Sequence, residues 1–207
     1  MVQRGANQVS KCDIRSGQPL LWSRRRLLQS GLLSGGLLLA TCDRQRQTSS
    51  PNLSTFQLTS PAFAAEALIP PEFTCDGSDH SPPLQWSDPP AQTQGLSLIL
   101  EDPDAPNPPF IHWVLYDLPP DLTALSAAIP AQPFLSIGGV QGKNDFGQYG
   151  YRGPCPPTQT HRYVFRLYAT KQLLDLPPGV SIAEVRQSLE PQTIATAVLM
   201  GRYRRAG

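Results

Sequence analysis

Histidine and aspartate side chains gather around three irregular stretches, and any chemistry in this sequence begins there. The stretches are Cys75–Pro83 (CDGSDHSPP), Asp102–Pro109 (DPDAPNPP) and Asn144–Thr160 (NDFGQYGYRGPCPPTQT). His80 lies within the first, and His112 and His161 follow the other two closely. Imidazole N–H groups, the Tyr163 hydroxyl and the Gly150–Gly153 backbone are donors of the kind that phosphate oxygens seek. Asp102 and Asp104 oppose such an anion, each by roughly 1 kcal/mol or more at ~4–6 Å in a partly wet site. They help only if they keep the histidines protonated or receive an ammonium group. The combination predicts weak affinity for bare phosphate and better affinity for a zwitterion such as phosphoethanolamine.

Other uses of the same residues compete with ligand binding. Asp104 could instead tie its proline-rich loop to backbone N–H groups. Arg162 is expected to face away from His161 and to pair with an acid. Trp86, Tyr149 and Tyr151 read as core or pocket wall. Two His and two Asp could form a metal site or an acid–base pair. The sequence, however, holds no H-x-D, no H-E-x-x-H, no G-x-S-x-G elbow and no G-x-x-x-x-G-K loop. We therefore expect no metal, no cofactor and no enzymatic activity.

These loops need strands to hold them. Phe56-Gln57-Leu58 is a candidate first strand, Leu96–Leu100 is a nearly continuous apolar run, and Trp113–Leu118 is aromatic and β-branched. In His161–Ala169 the residues Tyr163, Phe165 and Leu167 share one face, and Arg162, Val164 and Arg166 the other. If the second and third runs pair in opposite directions, the loop between them brings Asp102, Asp104 and His112 to one end, with all three histidines flanking loops. Helical signals are confined to the last third. Ser181-x-x-Glu184 is a capping box opening a helix that stops by Pro191, and Thr193–Met200 is a second helical candidate. Proline, 23 of 207 residues, argues against a mostly helical chain.

Read together, Asp102-Pro103-Asp104-Ala105-Pro106, His112-Trp113-Val114, Gly153-Pro154-Cys155-Pro156-Pro157 and His161-Arg162-Tyr163 resemble the phosphatidylethanolamine-binding protein family. Cys75-Asp76-Gly77 through Ser81-Pro82-Pro83-Leu84, with Trp86, is similar to its bacterial Raf kinase inhibitor-like branch, the YbhB/YbcL type. The resemblance runs from about Phe56 to Tyr203. It implies a mainly β fold, an antiparallel Greek-key sandwich with a few short C-terminal helices, over residues 55–207. It also implies a small anion pocket lined by Asp102, Asp104, His112, Gly153, Pro154, Pro156, His161 and Tyr163, for a phosphorylated or zwitterionic ligand. The alternative it carries is inhibition of a hydrolase of the serine protease type, or of a kinase, through protein contact. Gln159 stands where such proteins usually have Gly, which changes the turn of that loop. Pro191-Gln192 stands where Gly-His is common, near a helix expected at the pocket mouth.

Charge divides the chain. Residues 1–41 carry six bases (Arg4, Lys11, Arg15, Arg24, Arg25, Arg26) and one acid (Asp13), leaving eleven bases and fifteen acids beyond them. An acidic body lacks the clustered cations that phosphate backbones require, so no nucleic-acid partner is expected. Ser23-Arg24-Arg25-Arg26-Leu27-Leu28 resembles a twin-arginine export signal, and the uncharged run Leu27–Ala40 suits its apolar region. Leu39-Ala40-Thr41-Cys42 resembles a lipobox with Cys42 as the lipidated residue, although Thr41 departs from the usual Gly, Ala or Ser. An uncleaved N-terminal anchor is the competing reading. Residues 42–54 are a polar tether. The expected location is the cell envelope (periplasm), reached by export, with membrane contact only through that anchor or lipid. Such a compartment permits a disulfide between Cys75 and Cys155, although two separate thiols fit the spacing equally well. Ala62-Phe63-Ala64 mimics a cleavage site but belongs to the folded body. Replacing Arg24 and Arg25 together by lysine should stop export. Protease accessibility in spheroplasts measures this, and continued translocation would exclude the twin-arginine reading.

Overall fold

Side-chain alternation along a few long strands sets the architecture. The computed structural model describes residues 55–205. The expected export signal, Cys42, the expected tether and residues 206–207 lie outside them. Within this range the chain forms β1 (Leu58–Thr59), β2 (Leu84–Trp86), β3 (Gly95–Asp102), β4 (Phe110–Leu118) and β5 (Ala124–Leu125). It continues with β6 (Val140–Gln141), β7 (His161–Thr170), α1 (Ile182–Gln192) and β8 (Thr193–Tyr203). A three-stranded sheet has the order β1-β2-β5, and a five-stranded sheet has the order β6-β4-β3-β7-β8. Every pairing between these strands is antiparallel. Along the large sheet β7-β3-β4-β6 is a Greek key, in which β7 returns beside the first strand of the set.

The two sheets face each other across one core. Leu58, Leu84, Trp86 and Leu125 from the small sheet meet Leu96, Leu98, Leu100, Trp113, Leu115, Phe165, Leu167 and Leu199 from the large one. Tyr163, Phe165 and Leu167 are all fully buried on that face. Phe63 packs into the same core, so the Ala62–Ala64 cleavage mimic is structural. The opposite face of the large sheet is covered as well. Ile99, Ile111, Val114 and Tyr116 pack against Val185 and Leu189 of α1 and against Leu174. A buried Glu101 joins helix and sheet, accepting from Arg166 Nε at 2.7 Å and Arg186 Nη2 at 2.6 Å. Coverage on both faces explains why β3 reads as an unbroken apolar run instead of an alternating one.

The sequence reading needs three corrections. Thr193–Met200 is not helical: it is most of β8, paired with β7 from Thr170↔Thr193 to His161↔Tyr203. Thr193, Ile194, Thr196 and Val198 are β-branched, and Ala197, Leu199, Gly201 and Tyr203 alternate into the interior, so period two governs the segment. The described residues therefore contain one α-helix, and the only other helical turn is the 3-10 segment Pro71–Phe73, far from the C-terminus. The capping box at Ser181 and Glu184 is present, with Pro191 tolerated in the last turn of α1. His112 lies inside β4, which begins at Phe110, earlier than its aromatic signal suggested.

Gln159 adopts a left-handed backbone, φ 56°. A side chain there costs about 1–2 kcal/mol, whereas glycine would give up roughly 0.5–1 kcal/mol of extra chain entropy. Gln159→Gly should therefore raise stability slightly, by up to about 1 kcal/mol, read as a higher denaturant midpoint. A lower midpoint would show that the glutamine side chain itself holds the loop.

Candidate functional site

Asp102 closes β3, and its carboxylate organises the loop beyond it. Oδ1 accepts from the Asp104 backbone N–H at 2.8 Å, fixing the turn of the DPDAP loop. Oδ2 accepts from His161 Nδ1 at 2.8 Å, linking the end of β3 to the first residue of β7. Both residues are buried. Because a carboxylate only accepts, Nδ1 of His161 carries the proton and Nε2 is left for the pocket.

His112 is oriented from the other side. Its Nδ1 lies 2.7 Å from the carbonyl oxygen of Arg152, so Nδ1–H donates there. The ring is buried edge-on among Phe110, Phe146 and Tyr163. Burial pushes its pKa below the ordinary value; the Arg152 carbonyl and the charges of Asp102, Asp79 and Asp145 counter only part of that. The carboxylates therefore do not lift the His112 pKa above its ordinary value, because desolvation outweighs their attraction. In the neutral ring its Nε2 is an acceptor. Beside it the Tyr163 hydroxyl is fully buried and makes no close hydrogen bond, with the Asp102 carboxylate and the Cys155 backbone as its polar neighbours. Burial first, and the Asp102 charge second, push that phenol well up, so it stays protonated.

These groups line one pocket of about 290 Å³, with Ala105, Pro106, Phe110, Phe146, Cys155, Pro156 and Pro157. Asp102, His112, Pro156, His161 and Tyr163 therefore come together as the motifs suggested. Asp104, Gly153 and Pro154 do not. Asp104 turns outward and grips Arg162, accepting from its Nε at 2.9 Å, its Nη2 at 2.6 Å and its backbone N–H at 2.9 Å. The Arg162 side chain holds the Asp104 carboxyl down at about 2. The pair instead lines a broad surface depression with Gln159, Thr160 and Arg202.

Gly153 and Pro154 act as scaffold. The Gly153 N–H donates to Asp79 Oδ1 at 2.6 Å, and Pro154 accepts from the Cys75 N–H at 3.1 Å. A Cβ on Gly153 would collide with the Phe73 carbonyl, so only glycine permits this approach. The Arg152 N–H donates to the His112 carbonyl. The Arg152 and Gly153 donors expected for a ligand are therefore spent inside the protein. Cys75 and Cys155 are bonded, with Cα atoms 5.4 Å apart, and close the same junction. Tyr151 is core and donates to the Phe73 carbonyl at 2.5 Å. Among the described residues no group of three or more His, Cys, Asp or Glu could hold a metal ion. Pro191 and Gln192 end α1 at the opposite end of β7 from His161, where Gln192 accepts from the Lys171 N–H, so this departure does not touch the pocket.

Sequence pattern does not single out Phe110, Phe146 or Asp79. Phe146 lies in the longest loop, 41% exposed, and stacks edge-on with Phe110 at 5.0 Å, while Arg152 sits over its ring at 5.2 Å. An aromatic in an irregular loop has no period that would mark it. Asp79 lies in a recognised stretch, but its partner is 74 positions away.

The family model described as phosphatidylethanolamine-binding protein matches residues 59–204. The UPF0098 protein of Methanothermobacter thermautotrophicus is 48% identical over 144 residues, 70% of this chain and 95% of the relative. That of Aquifex aeolicus is 42% identical over 152 residues, 72% and 88%. Among solved structures, a phosphatidylethanolamine-binding protein homologue of Chlamydia trachomatis is 39% identical with a TM-score of 0.68, covering 73% of this chain and 99% of its own. Escherichia coli YbcL is 30% identical with the same TM-score, covering 74% and 100%. The chain belongs to the phosphatidylethanolamine-binding protein family. Its relatives are archaeal as well as bacterial, which widens the bacterial branch inferred from the motifs.

The depressed pKa of His112 has a sign that can be measured. Between its folded value and 6.5 the unfolded state binds more protons, so His112 makes stability fall as pH drops through and below about 6.5. Long-range ¹H–¹⁵N spectra should show the Nδ1–H tautomer of His112 and a titration midpoint below 6.5. A midpoint at or above that value would refute the lowered pKa.

Proposed function

We propose that this member of the family is an exported binding protein whose pocket receives a small phosphorylated or zwitterionic group such as phosphoethanolamine. The observation that carries the reading is the convergence on one pocket of His112, His161 and the buried Tyr163 hydroxyl, which makes no close hydrogen bond of its own. A buried hydroxyl that lacks a close partner is poorly satisfied, and a ligand oxygen accepting its proton completes that bond. Asp102 has both oxygens engaged, one of them orienting His161. The apolar wall of Pro106, Phe110, Phe146, Pro156 and Pro157 suits the organic part of such a ligand.

Binding, not turnover, is the role this arrangement favours. The Asp102–His161 pair resembles half of an acid–base relay, yet the neighbouring residues provide no nucleophile beside it. Export follows from the twin-arginine-like leader, and Cys42 offers a lipid anchor on a tether of twelve residues from Asp43 to Ser54.

Imidazole resonances of the full chain, titrated with phosphoethanolamine at about pH 6, near the ordinary histidine value, and with chloride as control, test the reading. His112 and His161 should shift together and saturate, with phosphoethanolamine ahead of inorganic phosphate. If neither ring responds to either compound, the pocket is scaffolding and the proposal fails.

A further inference from the structure

The large sheet has two outer strands, and only one of them is closed. β6 is two residues long, and Gln141 there donates its N–H to the Pro133 carbonyl at 2.9 Å, while its own carbonyl accepts from Gly179 N–H at 3.0 Å. β8, at the other edge, is eleven residues long. From Met200 onward it is covered: Glu66 N–H donates to the Met200 carbonyl at 2.7 Å, Arg202 N–H to the Ala67 carbonyl at 2.9 Å, and Ile69 N–H to the Arg202 carbonyl at 2.8 Å. Met200 and Arg202 thus turn their backbone groups away from β7. The register with β7 is regular from Ala195 to Tyr203, so Thr196 and Val198 turn theirs the same way. Among the described residues, no backbone group meets them there.

Sheet edges are normally defended by Lys, Pro, inward charge or bulges. A bulge at Ile194 bounds the open stretch on one side, where pairing passes from Ala169↔Ala195 to Thr170↔Thr193. Glu66 on the Met200 carbonyl bounds it on the other. Between these limits residues 195–199 (ATAVL) hold no charge and no proline. Thr196 and Val198 are exposed, Val198 at 49%. The stretch has its midpoint at Ala197, which makes it self-complementary. About a two-fold axis at that midpoint, two copies run antiparallel with Thr196 opposite Val198, and the bulge of one copy opposite the covered Met200 of the other. Each opposed pair exchanges both N–H···O=C bonds. β-Branched side chains meet at these pairs, and Ala197 meets Ala197 where strands approach more closely and small side chains fit. No charged side chain lies in the seam. At its ends the exposed Lys171, whose N–H holds the Gln192 carbonyl, comes toward the exposed Glu66–Arg202 pair of the other copy, whose carboxylate can share a second cation.

We propose that β8 pairs with β8 of a second copy across residues 195–199, joining two five-stranded sheets into one continuous sheet. The contact is isologous and closes the open edge of both copies. The β6 edge is already covered, so association stops at the dimer. A seam this short buries less than the ~1,200 Å² at which standard interfaces begin, so the dimer is a weak one. It lies along β8 away from the His161 end of β7 and does not depend on what the pocket binds.

Sedimentation equilibrium of the full chain from about 1 to about 100 μM, the range in which a weak interface populates, should show a monomer–dimer equilibrium. Thr196→Lys with Val198→Lys, and separately Thr196→Glu with Val198→Glu, place like charges opposite one another at every pair. Each of these chains should be monomeric throughout that range, with the circular dichroism of the parent, because both side chains are exposed. An equimolar mixture of the two should regain the dimer. Thr196→Glu combined with Val198→Lys in one chain should dimerise by itself, since the introduced carboxylate then faces the introduced ammonium. A parent chain that stays monomeric overturns the proposal, and slow hydrogen exchange at the Thr196 and Val198 N–H in that monomer assigns the edge to another segment of the same chain. A dimer that survives the paired lysines overturns it as well, because the contact then lies elsewhere, the leader included. A mixture that remains monomeric overturns the strand pairing.

Discussion

One carboxylate holds the functional end of this protein together. Asp102 sits where β3 runs out, and its two oxygens hold two different segments. One fixes the DPDAP turn through the Asp104 N–H, and the other fixes the His161 ring on the neighbouring strand. Hydrogen bonds to an ionised group contribute more than neutral ones, about 1.5–3 kcal/mol each, and more is lost if a buried charge is left alone. A buried charge of this kind tolerates little displacement. The loop start, the strand start and the ring that faces the pocket are thus positioned by the same group.

The remaining wall depends on a second junction, made between segments far apart in sequence. Asp79 receives the Gly153 N–H, Cys75 is bonded to Cys155, and Tyr151 reaches the Phe73 carbonyl. Together these clamp the Gly-Pro-Cys-Pro-Pro loop against the first irregular stretch, which sets the position of the Arg152 carbonyl. That carbonyl in turn decides which nitrogen of His112 is protonated. A scaffold contact thereby becomes a chemical property of the pocket. Loops rich in proline lose little chain entropy on ordering, which favours a rigid pocket built from loops.

Beneath both junctions lies the sheet. β3 and β7 are adjacent and antiparallel along most of their length, from Gly95↔Thr170 to Glu101↔Val164. That register puts Asp102 and His161 at the same end. The opposite face of the sheet is covered by α1, held through Glu101 between Arg166 and Arg186. No residue of α1 contributes to the pocket, so the helix serves the site only by keeping the large sheet buried on both faces.

Local pattern determined a good deal by itself. The alternation of Tyr163, Phe165 and Leu167, the capping box at Ser181 and the apolar β3 run come from side-chain period, capping chemistry and composition, all of which act over a few neighbouring residues. The ordered motifs also brought Asp102, His112, Pro156, His161 and Tyr163 into one group by resemblance. Tertiary structure alone decided the rest. Thr193–Met200 became a strand because β7 offered it an edge to pair with and a core for its alternate residues. Asp104 left the pocket because Arg162, 58 positions away, met both its oxygens. Cys75 and Cys155 were joined across 80 positions. The pKa of His112 is lowered because burial among Phe110, Phe146 and Tyr163 desolvates its ring. Burial and long-range partners set charge and tautomer, and neither is written in the spacing of residues along the chain.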